Sequence, residues 1–258
     1  MKLATDSTQR FSNRVEDYVR YRPGYPREIV GVLREECGLK PESVVVDVGS
    51  GTGLLTQLFL ENGNVVHGIE PNAAMREAGE QFLEKYHHFS SVAATAEATT
   101  LPDASADFIV TGQAFHWFDA KLTRDEFSRL LKPDGWVAII WNERKKDATA
   151  LQRDYESLLQ NHSADYKQVA SRYPERGQME EFFGKEGLRH KTFANEQRFD
   201  FAGLRGRLLS SSYSPPAGHP EHEPMLAELQ RLFDTHQESG FVRFEYETHI
   251  YYGRLRSQ

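Results

Sequence analysis

The chain has 258 residues and a mass of 29.6 kDa, which is enough for one large domain or for a domain with an insertion. With 39% hydrophobic and 27% charged residues and a mean hydropathy of −0.62, the composition is that of a globular protein and excludes disorder as the default. A formal charge of −7 and an isoelectric point near 5.8 disfavour a general nucleic-acid-binding protein.

The chain begins with a polar segment. Its first twenty residues carry neither the apolar stretch of a signal peptide nor a small-residue cleavage site, and no window approaches the ~18 apolar residues of a membrane span. The single cysteine, Cys37, cannot form an internal disulfide, which fits a reducing compartment. We therefore predict a cytoplasmic protein. Residues 1–40 are predicted to form a leader and a helix that cover the functional site.

From Ser43 onward, short apolar runs alternate with longer amphipathic stretches, a pattern typical of βαβ units and a parallel sheet. Strands are predicted at Val44–Val48, Val65–Ile69, Ser91–Ala93, Phe108–Thr111 and Trp136–Trp141. Helices are predicted at Leu54–Glu61, at Asn72–Lys85 with Asn72 as its cap, and at Thr123–Leu131, where the turn Lys132–Gly135 follows. These elements make up a predicted core, residues 41–146.

The regular alternation ends after Trp141. Residues 147–187 read as two or three polar helices, which we interpret as an inserted cap. The final segment, 188–258, contains predicted strands at Leu188–Phe199 and Phe241–Tyr252 and predicted helices at Phe201–Ser211 and Glu223–Glu238. The two strands alternate with period two, which suits strands near a sheet edge with one solvated face. The predicted fold is one α/β domain: a Rossmann-like, doubly wound, mostly parallel seven-stranded sheet with an antiparallel last strand and an inserted helical cap.

A glycine-rich turn leaves the first predicted strand at Gly49, Gly51 and Gly53, directly after Asp47. Glycines at such a turn let the backbone approach a ligand where a β-carbon would clash. Glu70 ends the second predicted strand, where a carboxylate can accept hydrogen bonds from both hydroxyls of an adenosine ribose. Strand, glycine turn, helix, strand and acid in this order predict a ligand that contains a nucleoside.

The third glycine decides between nucleoside cofactors. A dinucleotide fold requires G-x-G-x-x-G, so that the helix N-terminus can hold a pyrophosphate. Position 54, where that glycine would fall, is Leu54. A nicotinamide-dependent oxidoreductase is therefore disfavoured.

The stretch around Asp47–Gly53 closely resembles the first motif of class I S-adenosylmethionine-dependent methyltransferases. The resemblance continues over about one hundred residues, through Glu70–Met75, Ala96-Glu97 with Leu101–Asp103, Asp107–Val110, Gln113–Phe118 and Leu130–Gly135. The segments Phe11–Tyr18 and Tyr21–Pro26 look like the leader of the small-molecule branch that contains trans-aconitate methyltransferase-like proteins. The family implies an adenine loop at Ala96-Glu97, although Ala94-Thr95 stand where relatives often carry Gly-Asp.

The residues and the resemblance together predict the site. The predicted cofactor-binding residues are Asp47, Gly49, Gly51, Gly53, Glu70, Pro71, Met75, Ala96, Glu97, Gln113, Tyr18 and Arg22. The predicted substrate contacts are Tyr21, Trp117, Trp141, Asn142 and Tyr213. His116 is the candidate general base, with a place in the pocket wall as the alternative role.

The predicted activity is in-line methyl transfer from S-adenosyl-L-methionine to a small molecule, with a carboxylate as one option and S-adenosyl-L-homocysteine as the product. Between Thr111 and Phe118 there is no Asp or Glu to form a metal cluster, so we predict no metal. The alternatives are methylation of RNA or protein, and cofactor binding without catalysis. We expect a small-molecule acceptor, no nucleic-acid or membrane partner, and a monomer or homodimer.

Overall fold

The computed structural model describes residues 21–163, 166, 176–184, 187–211 and 213–255. Its centre is one seven-stranded sheet in the order β3-β2-β1-β4-β5-β7-β6. The strands are β1 (Val44–Val48), β2 (Val65–Ile69), β3 (Phe89–Val92), β4 (Ala106–Gly112), β5 (Leu131–Arg144), β6 (Arg189–Phe199) and β7 (Val242–Gly253). Strands β1 to β5 pair in parallel, and β7 pairs antiparallel with both β5 and β6. The predicted fold class is confirmed.

Helices lie along the chain between these strands. The described α-helices are α1 (Glu28–Cys37), α2 (Leu54–Glu61), α3 (Ala73–Phe82), α4 (Ala120–Leu130), α5 (Ala150–His162), α6 (Arg176–Phe183), α7 (Phe201–Leu209) and α8 (His222–His236). Asn72 caps α3 as predicted, because its side-chain oxygen accepts a hydrogen bond from the Met75 N–H. None of these helices is long and apolar enough to cross a membrane.

The predicted bounds of β1, α2 and β2 agree with the structure, whereas β5 is much longer than predicted. It begins at Leu131, opposite Ala106, and its register with β4 shifts before Trp136. The turn sequence Lys132–Gly135 therefore forms an irregularity within β5 instead of preceding it. At the other end, antiparallel pairing with β7 carries the strand to Arg144.

The alternating pattern at the end of the chain has a clear structural cause. Strand β7 lies second from the edge, and its alternate residues from Val242 to Ile250 are buried. Strand β6 is the edge strand, and most of its side chains are exposed or only partly buried. Each strand therefore has one face on the core and one face near water, which gives the period of two.

Two apolar layers cover the faces of the sheet, and a third cluster fills the space beside its antiparallel end. The two described helices of the predicted insertion, residues 147–187, contribute to different clusters. Helix α5 packs with α7, α8 and β7 in the third cluster, whereas α6 packs with α4 in the second. The function of this segment as a cap over the site stays a prediction.

Asn142 joins four parts of the chain at the antiparallel end of the sheet. Its side chain is 3% exposed, and its Nδ2 donates to the carbonyl of Gly24 at 3.1 Å. Its Oδ1 accepts from Thr248 Oγ1 at 2.5 Å and from Asn195 Nδ2 at 3.2 Å. One buried amide thus holds the segment before α1 against β5, β6 and β7.

We expect Asn142→Ala to lower the free energy of unfolding by about 1–3 kcal/mol, since it leaves buried partners without hydrogen bonds. Urea denaturation followed by circular dichroism measures this change. Ser157→Ala, on an exposed turn of α5, is the control and should shift stability by less than about 0.5 kcal/mol. Equal stability of the two variants would contradict the role given to Asn142.

Candidate functional site

The glycine turn after β1 is shaped by positive φ angles and by close neighbours. Gly49 has φ +70°, and a β-carbon there would lie 2.5 Å from the Ala114 β-carbon. Gly53 has φ +86°, and a β-carbon there would lie 2.6 Å from the side chain of Leu83. Side chains rarely adopt such backbone angles, so glycine is required at both places. The turn can therefore pass close to β4 on one side and to the end of α3 on the other.

The turn is tied to the end of β2 by hydrogen bonds. The N–H groups of Gly49 and Ser50 donate to the Ile69 carbonyl at 2.8 and 3.1 Å. Glu70 follows, and its two carboxylate oxygens accept from Gly51 N at 3.0 Å and from Asn72 N at 2.8 Å. A carboxylate has about four lone-pair sites, so each oxygen keeps one for a ligand.

Glu70 is almost fully buried. Burial raises the pKa of its carboxyl group, while the hydrogen bonds from Asn72 and Gly51 and the charge of Arg76 oppose that shift. Further hydrogen-bond donors would therefore stabilise the ionised form of the Glu70 carboxyl group. A ribose diol would supply two.

A cavity opens at the carboxyl ends of β1, β2 and β4, beside this turn. Nine predicted site residues line it: Gly49, Gly51, Glu70, Pro71, Met75, Ala96, Glu97, Gln113 and Trp117. Six further residues complete the wall: Ile69, Asn72, Thr95, Gly112, Ala114 and Phe118. These six were not predicted as site residues, although each directly neighbours a predicted one in the sequence. Their position next to a motif residue could have identified them.

Gln113, in the cavity wall, has an unusual left-handed backbone conformation. Its φ of +57° is unusual for a residue other than glycine, and its Nε2 donates to the Asn142 carbonyl at 2.9 Å. Its side-chain Oε1 is buried and has no hydrogen-bond partner among the described residues. A left-handed residue that is held in place by a second strand can present this oxygen to a ligand.

Asp47, a predicted cofactor ligand, lies beneath the glycine turn and does not line the cavity. It is fully buried, and its Oδ2 accepts from Thr56 Oγ1 at 2.6 Å. Burial raises the pKa of Asp47 to about 7, the charge of Glu70 adds to the shift, and the bond from Thr56 opposes it. The structure therefore gives Asp47 a supporting position. Gly53 likewise lies outside the wall and begins α2.

His116, the candidate base, does not line this cavity. It lies in a second depression with Lys121, Arg124 and Glu181, between α4 and α6. The reason is the short 3-10 turn Phe115–Trp117, in which successive side chains point about 120° apart. Trp117 thus reaches the cavity, while the ring of His116 packs on the ring of Trp141, with 5.1 Å between the ring centroids.

The other predicted contacts are held elsewhere by protein groups. Arg22 Nη2 donates to the Ser210 carbonyl at the end of α7, and the Tyr21 ring packs against Gly206 in the same helix. Asn142 is used in the sheet, as described above, and Tyr213 packs on Tyr166 at 5.0 Å. Tyr18 lies outside the described residues. Arg22, Tyr21, Asn142 and Tyr213 thus do not line the cavity, and their contacts with a cofactor or substrate stay predictions, as does the role of Tyr18.

Comparison with known proteins finds methyltransferases. A family model described as a methyltransferase domain matches residues 46–139. An uncharacterized methyltransferase of Schizosaccharomyces pombe is 25% identical over 229 residues, which are 87% of this chain and 87% of that protein. An uncharacterized methyltransferase of Mycobacterium tuberculosis is 32% identical over 139 residues, and this match spans 54% of either chain.

Solved structures with the same fold include a chain from Anaeromyxobacter dehalogenans that was provisionally assigned as a type II methyltransferase. It has a TM-score of 0.67 and 22% identity, and the match covers 92% of this chain and all of the other. A Haemonchus contortus phosphoethanolamine N-methyltransferase, solved with S-adenosylhomocysteine, has a TM-score of 0.56 and 16% identity over 96% of this chain and 58% of its own.

The raised pKa of Asp47 makes stability depend on pH. An unfolded aspartate ionises near pH 4, whereas Asp47 in the folded protein keeps its proton up to about pH 7. The folded state binds more protons between these values, so stability falls as the pH rises through this window. We expect wild type to lose about 2–3 kcal/mol between pH 5 and pH 8 relative to Asp47→Asn, as measured by urea denaturation at both values. A constant difference between the two proteins would contradict this assignment.

Proposed function

Because residues 46–139 match a methyltransferase domain and the relatives are methyltransferases, we propose that this chain is a class I S-adenosylmethionine-dependent methyltransferase. In this proposal its acceptor is a small molecule, and the atom methylated is a carboxylate oxygen. The cavity described above is assigned to the cofactor. Three features support its fit: the turn at Gly49 leaves no room for a β-carbon, Glu70 has lone pairs left for a ribose diol, and Gln113 Oε1 lacks a partner among the described residues.

The walls next to these groups suit a sulfonium ligand. Trp117 and Phe118 supply aromatic surface, and Glu70 and Glu97 supply negative charge. An aromatic face attracts a cation by about 0.5–2 kcal/mol, more when water is excluded. We assign Glu70 to the ribose, Ala96 and Glu97 to the adenine, and Gln113 to the methionine portion.

The lack of a general base in the cavity wall is the observation that favours a carboxylate. Among the residues that the structure describes, those that line it include no His, Lys, Cys or Tyr. Glu70 accepts two backbone hydrogen bonds, and Glu97 accepts one from Asp119 N at 3.0 Å. A hydroxyl or ammonium acceptor would have to lose a proton, whereas a carboxylic acid is already ionised at pH 7.

When bound, S-adenosylmethionine supplies a methyl group on a sulfonium, and an oxygen–carbon bond to the acceptor forms as the sulfur–carbon bond breaks. The products are a methyl ester and S-adenosylhomocysteine, and no proton is released. The protein then has to align the acceptor oxygen with the methyl group and exclude water. Alignment of this kind can supply about 7–11 kcal/mol.

Charge argues against a nucleic-acid acceptor. No Lys or Arg is among the described residues that line the cavity, and the chain has a formal charge of −7. Phosphate backbones are bound mainly by cationic side chains, and these dominate affinity. A small acceptor that enters the cavity does not require such a surface.

Glu70→Gln tests the assignment of the cofactor site. The amide keeps the size of the side chain but can accept at one atom only, so at least one charged hydrogen bond is lost. We expect affinity for S-adenosylmethionine, measured by calorimetric titration, to fall about ten- to hundredfold. Glu80→Gln, on the exposed side of α3, is the control. Unchanged affinity in Glu70→Gln would remove Glu70 from the site.

The acceptor class is tested with S-adenosylmethionine that carries a labelled methyl group. The full-length protein is incubated separately with a low-molecular-mass metabolite filtrate, with total RNA and with total protein. We expect label in the filtrate alone, in a form that mild alkali releases as methanol, because a carboxylate methyl ester hydrolyses readily. Glu70→Gln is the matched inactive control.

Label in RNA or protein would overturn the small-molecule proposal. Alkali-stable label in the filtrate would keep the small molecule and overturn the carboxylate. Cofactor binding without transfer to any fraction would favour a binding protein without catalysis.

A further inference from the structure

A buried arginine, Arg207, lies on α7. Arg207 is 6% exposed, its Nε donates to Tyr246 OH at 3.2 Å, and its Nη1 donates to Ser211 Oγ at 3.0 Å. Within the described part of the chain, no carboxylate lies within salt-bridge distance of its guanidinium group. Burial of a charge is costly unless an opposite charge accompanies it. The described residues around Arg207 therefore supply no carboxylate that balances its charge.

A second buried arginine, Arg144, ends β5. It is 8% exposed, and its Nη2 pairs with Glu156 Oε2 at 2.5 Å. Its Nη1 is buried and has no hydrogen-bond partner among the residues that the structure describes. The guanidinium lies 5.0 Å over the ring of Tyr155, whose buried hydroxyl also lacks a partner there. Among the described residues, Arg144 Nη1 and the Tyr155 hydroxyl thus have no hydrogen-bond acceptor.

The register of the sheet brings the two arginines to one place. Tyr246 stands directly opposite Arg144 in the β5–β7 pairing, and its hydroxyl accepts the hydrogen bond from Arg207. Side chains directly opposite in antiparallel strands lie about 5 Å apart at their β-carbons. Both charges also act on Tyr213. Burial raises the pKa of Tyr213, but the charges of Arg207, Arg144 and Arg22 and a hydrogen bond with Ser211 together outweigh burial and lower the pKa.

Strand β5 connects this cluster to the wall of the cavity assigned to the cofactor. Gln113 in the cavity wall donates to the Asn142 carbonyl, and Arg144 follows two residues later on the same strand. Two residues of a strand span about 7 Å. An acceptor that reaches from the cavity to the arginines thus needs to be only a small molecule.

We propose that Arg144, Arg207 and the Tyr155 hydroxyl bind an oxyanionic group of the methyl acceptor, at a distance from the atom that is methylated. The inference rests on the proposed function, because it assigns the acceptor's second recognition point. Paired guanidinium groups bind carboxylate and phosphate oxygens in a fixed geometry. A bound oxyanion would supply the negative charge that offsets the positive charge of Arg207. Acceptors without such a group would be rejected.

The test is thermal unfolding of the full chain, with S-adenosylhomocysteine present, at constant ionic strength in chloride. The probes are succinate, inorganic phosphate and uncharged succinamide at millimolar concentration. We expect succinate or phosphate to raise the melting temperature by several degrees and succinamide to leave it unchanged, since a ligand that binds only the folded state stabilises it. The larger of the two shifts identifies carboxylate or phosphate as the preferred group.

Three variants assign the effect to the cluster. Tyr155→Phe keeps the packed ring and should fold normally, yet lose at least half of the oxyanion shift. Arg207→Met should abolish the shift and melt no lower than wild type in chloride, because it removes an unbalanced charge. Arg34→Met, at an exposed position of α1, should retain the full shift and thereby corrects for general salt effects.

An oxyanion shift that is absent from wild type, or that persists in Tyr155→Phe, would overturn the inference even if Arg207→Met failed to fold. The methyl-labelling experiment separates this failure from that of the proposed function. Labelled small acids without an oxyanion shift would reject the subsite alone. An oxyanion shift with label in RNA or protein would reject the proposed acceptor and leave the subsite standing.

Discussion

The Glu70 carboxylate holds the glycine turn in the position on which the site depends. Its two oxygens accept N–H groups from Gly51 in the turn and from Asn72 at the start of α3, so that one side chain fixes three segments. Charged hydrogen bonds in a buried setting are strong and directional. They hold the turn open towards the ligand, and the close contacts at Gly49 and Gly53 prevent it from collapsing or shifting.

A second constraint acts at the other side of the cavity, where β4 meets β5. Gln113 adopts a left-handed backbone and bonds to the Asn142 carbonyl, while the Asn142 side chain holds the segment before α1 and the antiparallel strands. Elements far apart in sequence thereby share one fixed geometry. The cavity wall is thus supported by the part of the sheet that lies outside the βαβ core.

Charged groups of the described residues form two groups of opposite sign, the carboxylates at the cavity and the arginine cluster of Arg144 and Arg207. The cavity is bordered by two carboxylates, Glu70 and Glu97, which suits a cationic ligand. Further along β5, Arg144 is buried and pairs with Glu156, and Arg207 is buried without a carboxylate partner among the described residues. Opposite local potentials of this kind can orient a bound pair of molecules with opposite charge. The proposed reaction joins such a pair, a sulfonium and a carboxylate.

The sequence by itself determined the parallel half of the sheet, the glycine turn and Glu70. These features depend on local patterns: buried β-branched runs, glycines at a strand end, and an acid at the end of the next strand. Nine predicted residues do line one cavity, since the carboxyl ends of parallel strands meet at a single edge. The length of β5 was not predictable in this way, because pairing with β7, about a hundred residues later, extends it to Arg144.

The orientation and the partners of individual side chains depend on tertiary contacts, so they could not be predicted from the sequence. A 3-10 turn points His116 away from the cavity, Asn142 is used by strands that the local sequence does not reveal, and Arg22 bonds to the end of α7. The arginine cluster was hidden for the same reason: in the sequence, Arg144 stands next to Lys145 and Lys146, and Arg207 falls within the predicted helix Phe201–Ser211. Their shared position follows from the strand register and from long-range packing, and neither leaves a periodic signal in the sequence.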